Sequence, residues 1–197
     1  VVATESEFAP FEFKSLVNGK DTLVGADIEL AKAIGEKLGV KVEFSVMSFD
    51  NVLANVQSGK ADIAIAGISV TDERKKVYDF SDSYYTSENV VIVKKDKVND
   101  YTSTDSLAKQ TVGTQKGSVQ ETVAKKQIPK ASVVSLASNG EMINELKSGQ
   151  LQAVVLEKAI AEGYIAQNDD LTLANFNLKS DGTDAYAVAT RKGSDDL

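Results

Sequence analysis

The sequence predicts an α/β protein with mostly parallel strand pairing, built as two similar halves. Three observations predict it. "GADIELAKAIGEKLGV" carries Ile28, Ala31, Ile34 and Leu38 at helical spacing. Short apolar runs such as "ADIAIAG" and "LQAVVLE" follow helical segments, the alternation that builds a parallel sheet. Segment 49–57 with "SGKADIAIAG" is also echoed by 139–147 with "SGQLQAVVLE". At an offset of 90, Val52, Leu53, Val56, Ser58 and Gly59 face Met142, Ile143, Leu146, Ser148 and Gly149. A repeated helix-SG-strand unit suggests two α/β lobes.

Taken in order, "VVAT" is a short strand that gives way to a polar turn. "FAPFEF" then holds three of the seven phenylalanines within six residues, and Phe11 and Phe13 read as a core plug. In the first helix Asp27 and Glu29 suit the N-terminal end and Gly39 supplies the stop. "KVEFSV" alternates at period two and predicts a strand; "FDNVLANVQSGK" predicts a helix ending at Ser58-Gly59. "ADIAIAG" follows as a buried strand. "VVIVKKDKVNDY" and "DAYAVATRK" are apolar strands placed to cross between the lobes.

Composition narrows the function. With 197 residues, 42% of them hydrophobic, the chain can bury a core as one or two domains. It has no cysteine, so disulfides, thiolate nucleophiles and thiolate metal sites are excluded. It has no histidine either, which removes the commonest general base and metal ligand. An enzyme here would have to run on Asp, Glu, Lys, Tyr or hydroxyl groups. A formal net charge of -7 without a face-sized basic run excludes nucleic acid as a partner. No stretch approaches the roughly 18 apolar residues needed to cross a bilayer. "VVATESEFAPF" lacks the charged and apolar regions of a signal peptide, so the chain reads as cytosolic or as one whose targeting segment has been removed.

In open α/β sheets, ligands lie beyond the carboxyl ends of strands, where loops lead into helix N-termini. Three such places stand out. In the first, Gly67 allows close backbone approach and Ser69 with Asp72 fits a capping pattern. Arg74 follows in the first helical turn, where it opposes the helix dipole. It is one of two arginines against twenty lysines, and reads either as a surface ion pair or as a forked donor for a planar anion. The second place is "TVGTQKGSVQETV", where Ser118 and Glu121 form another capping box opening a helix. It is not a phosphate loop. The third is Glu157, a carboxylate closing the apolar "LQAVVLE", either a strand end or an acceptor for a cation. A carboxylate binder, two helix starts and an ammonium acceptor together describe a site for a zwitterion, which points to a free α-amino acid.

The segments "FAPFEF", "GADIELAKAIGEKLGV", "SFDNVLANVQSGKADIAIAGISVTDERKKVYDFSDSYY", "VGTQKGSVQE" and "LKSGQLQAVVLEKAIAEGY" resemble, in order and spacing, the extracytoplasmic solute-binding proteins of polar amino-acid ABC importers. The resemblance implies the type II periplasmic-binding-protein fold: a two-lobed clamp with a ligand cleft and two hinge strands near 87–93 and 183–189. Lobe 1 would comprise 1–88 and 186–197, and lobe 2 would comprise 89–185. By position, Arg74 would clamp the ligand carboxylate with Ser69 and with N–H groups around Ser118 and Val119. Glu157 and the Gly67 carbonyl would take the ammonium. Phe8 and Phe49 would form aromatic walls, and Glu5, Ala66, Gln115 and Gln120 would read the side chain. Glu5 favours a basic ligand such as arginine or lysine, with glutamine next.

The resemblance further implies no cofactor, metal or catalytic residue, a monomer, a membrane permease as partner, and a periplasmic or lipoprotein-anchored location. The family usually has aspartate at Glu157 and a hydroxyl or glycine at Val119. Its C-terminal helices normally follow "RKGSDDL", so the natural protein is expected to be longer. Two other classes share the fold: a cyclic-acid dehydratase, for which Glu157 is the sole candidate acid, and the ligand-sensing domain of a membrane receptor.

Overall fold

The computed structural model describes residues 1–194 and 196–197. The chain divides into two compact units, Val1–Thr86 with Gly182–Leu197 and Ser87–Asp181. Unit 1 opens with β1 (Val2–Thr4) and an antiparallel trio, β2 (Glu7–Phe8), β3 (Glu12–Val17) and β4 (Lys20–Val24). There follow α1 (Ala26–Leu38), β5 (Phe44–Val46), α2 (Phe49–Gln57), β6 (Ile63–Ala64), the one-turn α3 (Asp72–Lys75), β7 (Tyr78–Phe80) and β8 (Tyr85–Thr86). Unit 2 holds β9 (Asn89–Lys94), β10 (Thr111–Gln115), α4 (Val119–Gln127), β11 (Ser132–Leu136), α5 (Asn139–Ser148), β12 (Ala153–Glu157), α6 (Lys158–Gln167) and β13 (Leu171–Leu173). The chain then returns to unit 1 for β14 (Ala185–Tyr186) and β15 (Ala189–Arg191).

Each unit is built on a five-stranded sheet, of order β5-β1-β6-β15-β7 in one and β11-β10-β12-β9-β13 in the other. The three strands at one side of each sheet are parallel, and the last two run antiparallel to their neighbours. Parallel pairing is therefore confined to the βα repeats, where a helix carries the chain back across the sheet. The internal echo has a structural counterpart: α2 leads to β6 as α5 leads to β12, and both strands take the third place in chain order within their parallel trio. Gly59 and Gly149 both adopt left-handed φ after their helices, at 78° and 83°, which the absence of a Cβ makes inexpensive.

Alternation along the short strands sends side chains to two covered faces. Ala3 and Ala64 pack with Val52 and Val56 of α2, whereas Val2 and Ile63 pack with Ala31 of α1. In unit 2, Val91, Val93, Val112 and Val155 join Ala124 of α4 and Ile128. Met142 and Leu146 of α5, both fully buried, lie at positions four apart and so share one helical face.

Several elements are shorter than their sequence pattern. Of "KVEFSV" only Phe44–Val46 joins the sheet. The preceding residues wrap α1 instead: a Cβ on Gly35 would lie 2.3 Å from Val42, and the Val40 N–H donates to the Gly35 carbonyl. "ADIAIAG" contributes only Ile63–Ala64 to the ladder, because Gly67, at φ 56°, turns the chain away. "DAYAVATRK" forms two strands, β14 pairing with β8 and β15 with β6 and β7. Leu38, placed on the buried face by spacing, is 48% exposed.

The start of α1 is held by the turn before β3. Its first N–H groups have no helical partner, and those of Ala26 and Asp27 donate to the carbonyls of Pro10 and Phe11 at 3.0 and 2.8 Å. A Cβ on Gly25, the N-cap, would lie 2.2 Å from the Phe11 oxygen. Glycine thus lets the "FAPFEF" turn lie directly on the helix end and brings Glu12 beside Asp27.

Two substitutions distinguish core from surface. Leu146→Ala is expected to cost about 2–5 kcal/mol through lost burial and a cavity. Leu16→Ala, at a side chain 72% exposed, is expected to change stability by less than about 0.5 kcal/mol. Urea unfolding of both variants checks the contrast.

Candidate functional site

Unit 1 presents its candidates on the segment that leaves β6. Ala66, Gly67 and Ser69 are all buried, and Ser69 bridges to Tyr186 of β14. A Cβ on Gly67 would lie 2.4 Å from the Phe8 ring and 3.1 Å from that of Tyr186, so only glycine lets these rings close over the turn. Phe8 also lies against Phe11 and Tyr186, at centroid distances of 5.7 and 6.4 Å.

Ser69 does not cap a helix. The N-cap of α3 is Thr71, whose hydroxyl accepts the Arg74 N–H at 3.0 Å. Since α3 has only four residues, Arg74 lies as near its end as its start, and the expected opposition to a helix dipole does not arise. The guanidinium is placed by other contacts. Nη1 donates to the Ser69 carbonyl at 2.8 Å, and Cζ lies 5.9 Å from the centroid of the Phe49 ring. Phe49, the first residue of α2, is itself in the core together with Val52 and Ala66. Burial pushes the Arg74 pKa down to about 10, opposed by the Tyr78 and Tyr186 phenols. It remains a cation at neutral pH.

Behind Gly67 lies an acidic network that the sequence patterns did not single out. Asp27, 1% exposed, accepts the Gly67 N–H at 2.9 Å and the Tyr84 O–H at 3.1 Å, both on Oδ2. Glu12, fully buried at the start of β3, faces Asp27. Burial first, and then the Asp27 charge, push the Glu12 carboxyl well above its ordinary range, with Glu5 adding to the effect. Asp27 is raised by burial while its bonds to Glu12, Gly67 and Tyr84 hold it down. The Tyr84 phenol is raised by burial and by both carboxyl groups. Spacing contained a signal for Asp27: it lies four residues before the buried Ala31, on the same face of α1. Glu5 is also buried, at 4% exposed.

Unit 2 presents its candidates at the carboxyl ends of β10 and β12. The Gln115 amide donates to the Ala137 carbonyl at 3.4 Å, and the Gln120 amide to the Asn89 side chain at 2.8 Å. Ser118 is the N-cap of α4 by position, yet its hydroxyl donates back to the Gln115 carbonyl at 2.6 Å. Glu121 accepts the Gly117 N–H at 3.2 Å and pairs with Lys125. The expected Ser118–Glu121 capping box is therefore replaced by a tighter turn over residues 115–118. Val119, half-buried, is the first residue of α4.

Glu157 ends β12 and is 1% exposed. It is the N-cap of α6, with Oε2 accepting the N–H groups of Ala159 and Ile160 at 2.8 and 3.3 Å. This carboxylate is placed by a helix start, a role that explains how a charge is held at the end of an apolar strand.

Unit 1 also contains an apolar cavity of about 710 Å³, lined by groups that include Val2, Ile34, Leu38, Phe80 and Leu197. None of the candidate residues lines it. Among the described residues no helix is long and apolar enough to cross a membrane, and no group of three or more acidic side chains could hold a metal ion.

Two α/β units of one strand order, with polar groups gathered at strand ends, are the architecture of two-lobed type II periplasmic binding proteins. The chain belongs to the bacterial extracellular solute-binding proteins, family 3, whose profile matches residues 1–197. This places it outside the cytoplasm, among the ligand carriers of ABC importers. It is 34% identical over 200 residues to the arginine-binding extracellular protein ArtP of Bacillus subtilis (strain 168), covering 99% of this chain and 75% of that one. Among solved structures it is similar to AbpA, an amino acid ABC transporter substrate-binding protein from Streptococcus pneumoniae Canada MDR_19A bound to L-arginine. There the TM-score is 0.95 and the identity 54%, over 99% of this chain and 82% of that one. An ancestral arginine-binding protein, solved with arginine and with glutamine, is 42% identical with a TM-score of 0.90, over 100% of this chain and 85% of that one.

The capping geometry of Glu157 carries its own expectation. Glu157→Ala should lower the stability of the ligand-free protein by about 1 kcal/mol through loss of the cap, whereas Glu157→Gln keeps an acceptor oxygen and most of that stability. Melting temperatures of the two variants check this.

Proposed function

We propose that the chain binds a free basic L-amino acid, arginine foremost, and presents it to the permease of an ABC importer. Arg74 takes the ligand α-carboxylate, with Ser69 and the N–H groups around Ser118 and Val119 completing its shell. Glu157 and the Gly67 carbonyl take the α-ammonium; a carboxylate has about four lone-pair sites, so capping α6 and accepting an ammonium use different ones. Phe8 and Phe49 flank the side chain, and Ala66, Gln115 and Gln120 limit its shape. The observation that carries the basic preference is the burial of Glu5 to 4% exposure. A buried acidic pole favours a guanidinium and disfavours an acidic ligand.

The arginine-bound relatives support this reading, and the glutamine-bound ancestral protein makes glutamine the second candidate. Binding without turnover suits the residues: histidine and cysteine are absent, and the one candidate acid, Glu157, is engaged in holding a helix start. Ligand contacts made only in the importer-competent form shift the population toward it, which is the whole of the signal the permease has to read.

Thermal-shift measurements over the twenty amino acids test the proposal. Arginine at 100 times its Kd should add about 2.7 kcal/mol of stability. Failure of every amino acid to raise the melting temperature would falsify it, and a larger effect from glutamine would replace the basic ligand. Arg74→Ala should leave the ligand-free protein folded while losing the charged bond to the Ser69 carbonyl, worth about 1.5–3 kcal/mol. It should also abolish the arginine shift, since a buried ligand carboxylate left without its partner costs roughly 3–5 kcal/mol.

A further inference from the structure

The Glu12–Asp27 contact is used by neither the fold's ordinary capping nor the ligand contacts proposed above. Neither oxygen of Glu12, nor Oδ1 of Asp27, has a conventional N–H or hydroxyl donor. The two buried carboxyl groups nevertheless face each other, where the Asp27 N–H donates to the carbonyl of Phe11, the residue before Glu12, at 2.8 Å. Two carboxylates are both acceptors only, so the contact requires a proton on one of them. The groups facing Glu12 are Asp27 from α1, Glu5 from the segment after β1, and Tyr84 from the segment before β8.

We propose that Glu12 and Asp27 share one proton, and that Glu12 is a positioning residue: its O–H bond to Asp27 fixes the carboxylate that holds the Gly67 N–H at the amino-acid site. The environment decides where the proton resides. Asp27 already accepts from Gly67 and Tyr84, two donors that favour its anion. Glu12 has neither, is buried more completely and faces a second carboxylate in Glu5. The proton therefore stays on Glu12, and the pair titrates as a unit. Removing that proton would place two anions in contact and weaken the hold on the turn that carries Gly67. The importance of Gly67 to the ligand rests on the function proposed above; the shared proton does not.

The pH effect has a definite sign. Glu12 has an ordinary value of 4.5 and is raised in the folded protein, so between those values the folded state binds a proton that the unfolded chain has released. The stability from this source is complete below about pH 4.5 and is lost as pH rises toward the folded value.

The test uses the full chain and Glu12→Gln, which keeps a donor toward Asp27 but cannot titrate. Ligand-free melting curves of wild type and variant from pH 5 to 9 should diverge, the wild type losing more stability as pH rises. An infrared band of a protonated carboxyl group should be present in the wild type at pH 7 and absent in Glu12→Gln. Arginine affinity should survive in Glu12→Gln at pH 6. It should fall at least about tenfold in Glu12→Leu, which removes the bond to a charged group. Parallel melting curves with no protonated-carboxyl band would overturn the shared proton even if arginine binds tightly. Unchanged arginine affinity in a folded Glu12→Leu would overturn the positioning role. A wild type that binds no arginine would instead refute the proposed function, leaving the melting curves and the infrared band to decide the proton.

Discussion

A carboxylate removed from water has to find donors, and in unit 1 the Asp27 carboxylate finds them in three different parts of the chain. Its donors are the backbone of Gly67, the phenol of Tyr84 and the side chain of Glu12. Asp27 is itself anchored, because its own N–H donates to the Phe11 carbonyl and Gly25 leaves room for that approach. The consequence is a rigid junction of the "FAPFEF" turn, the start of α1 and the segment after β6. The candidate residues of unit 1 are spaced from this junction: Phe8 closes over Gly67, and Ser69, two residues on, holds Arg74 by its carbonyl. An apolar residue at position 27 would pack as well as aspartate but would leave the Gly67 N–H buried without a partner.

Periodicity made the helices legible. α1, α2 and α5 carry apolar residues three and four apart and end at glycines or at a Ser-Gly pair, and all three form where the pattern places them. The internal echo was legible for the same reason, since two units of one strand order require the same helix-turn-strand spacing. Strand ends were less legible. Whether Ile65 and Ala66 continue the ladder depends on the turn at Gly67, and that turn depends on a hydrogen bond to a residue 40 positions away. No local pattern contains that information.

The capping motifs failed in an instructive way. Ser69 with Asp72 and Ser118 with Glu121 both fit a pattern in which a hydroxyl accepts from the helix it precedes. In the structure both serines belong to the strand end instead: Ser69 bridges to Tyr186, and Ser118 donates to Gln115. The cap passes to Thr71 in one case, and in the other α4 has no side-chain cap, with Glu121 accepting the N–H of Gly117 outside the helix. A hydroxyl can serve as donor or acceptor, and sequence spacing does not say which carbonyl lies within reach. Glu12 was missed for a related reason. Period two puts Phe11 and Phe13 on one side of the strand and Glu12 with Lys14 and Leu16 on the other, and nothing in the alternation reveals that Glu12 alone of that side is buried.

The two poles of the proposed zwitterion site solve the same problem with opposite charges. Taking a charge out of water is costly, and each is tied to backbone groups that position it. Arg74 donates to a carbonyl, and Glu157 accepts from two helix N–H groups. The family resemblance implied aspartate at position 157, and the capping geometry shows how the longer side chain is accommodated. The carboxylate of Glu157 lies over the first turn of α6, with Oε2 on the N–H groups of Ala159 and Ile160. Its Oε2 accepts from two N–H groups of the helix start, so the carboxylate is oriented by α6 itself.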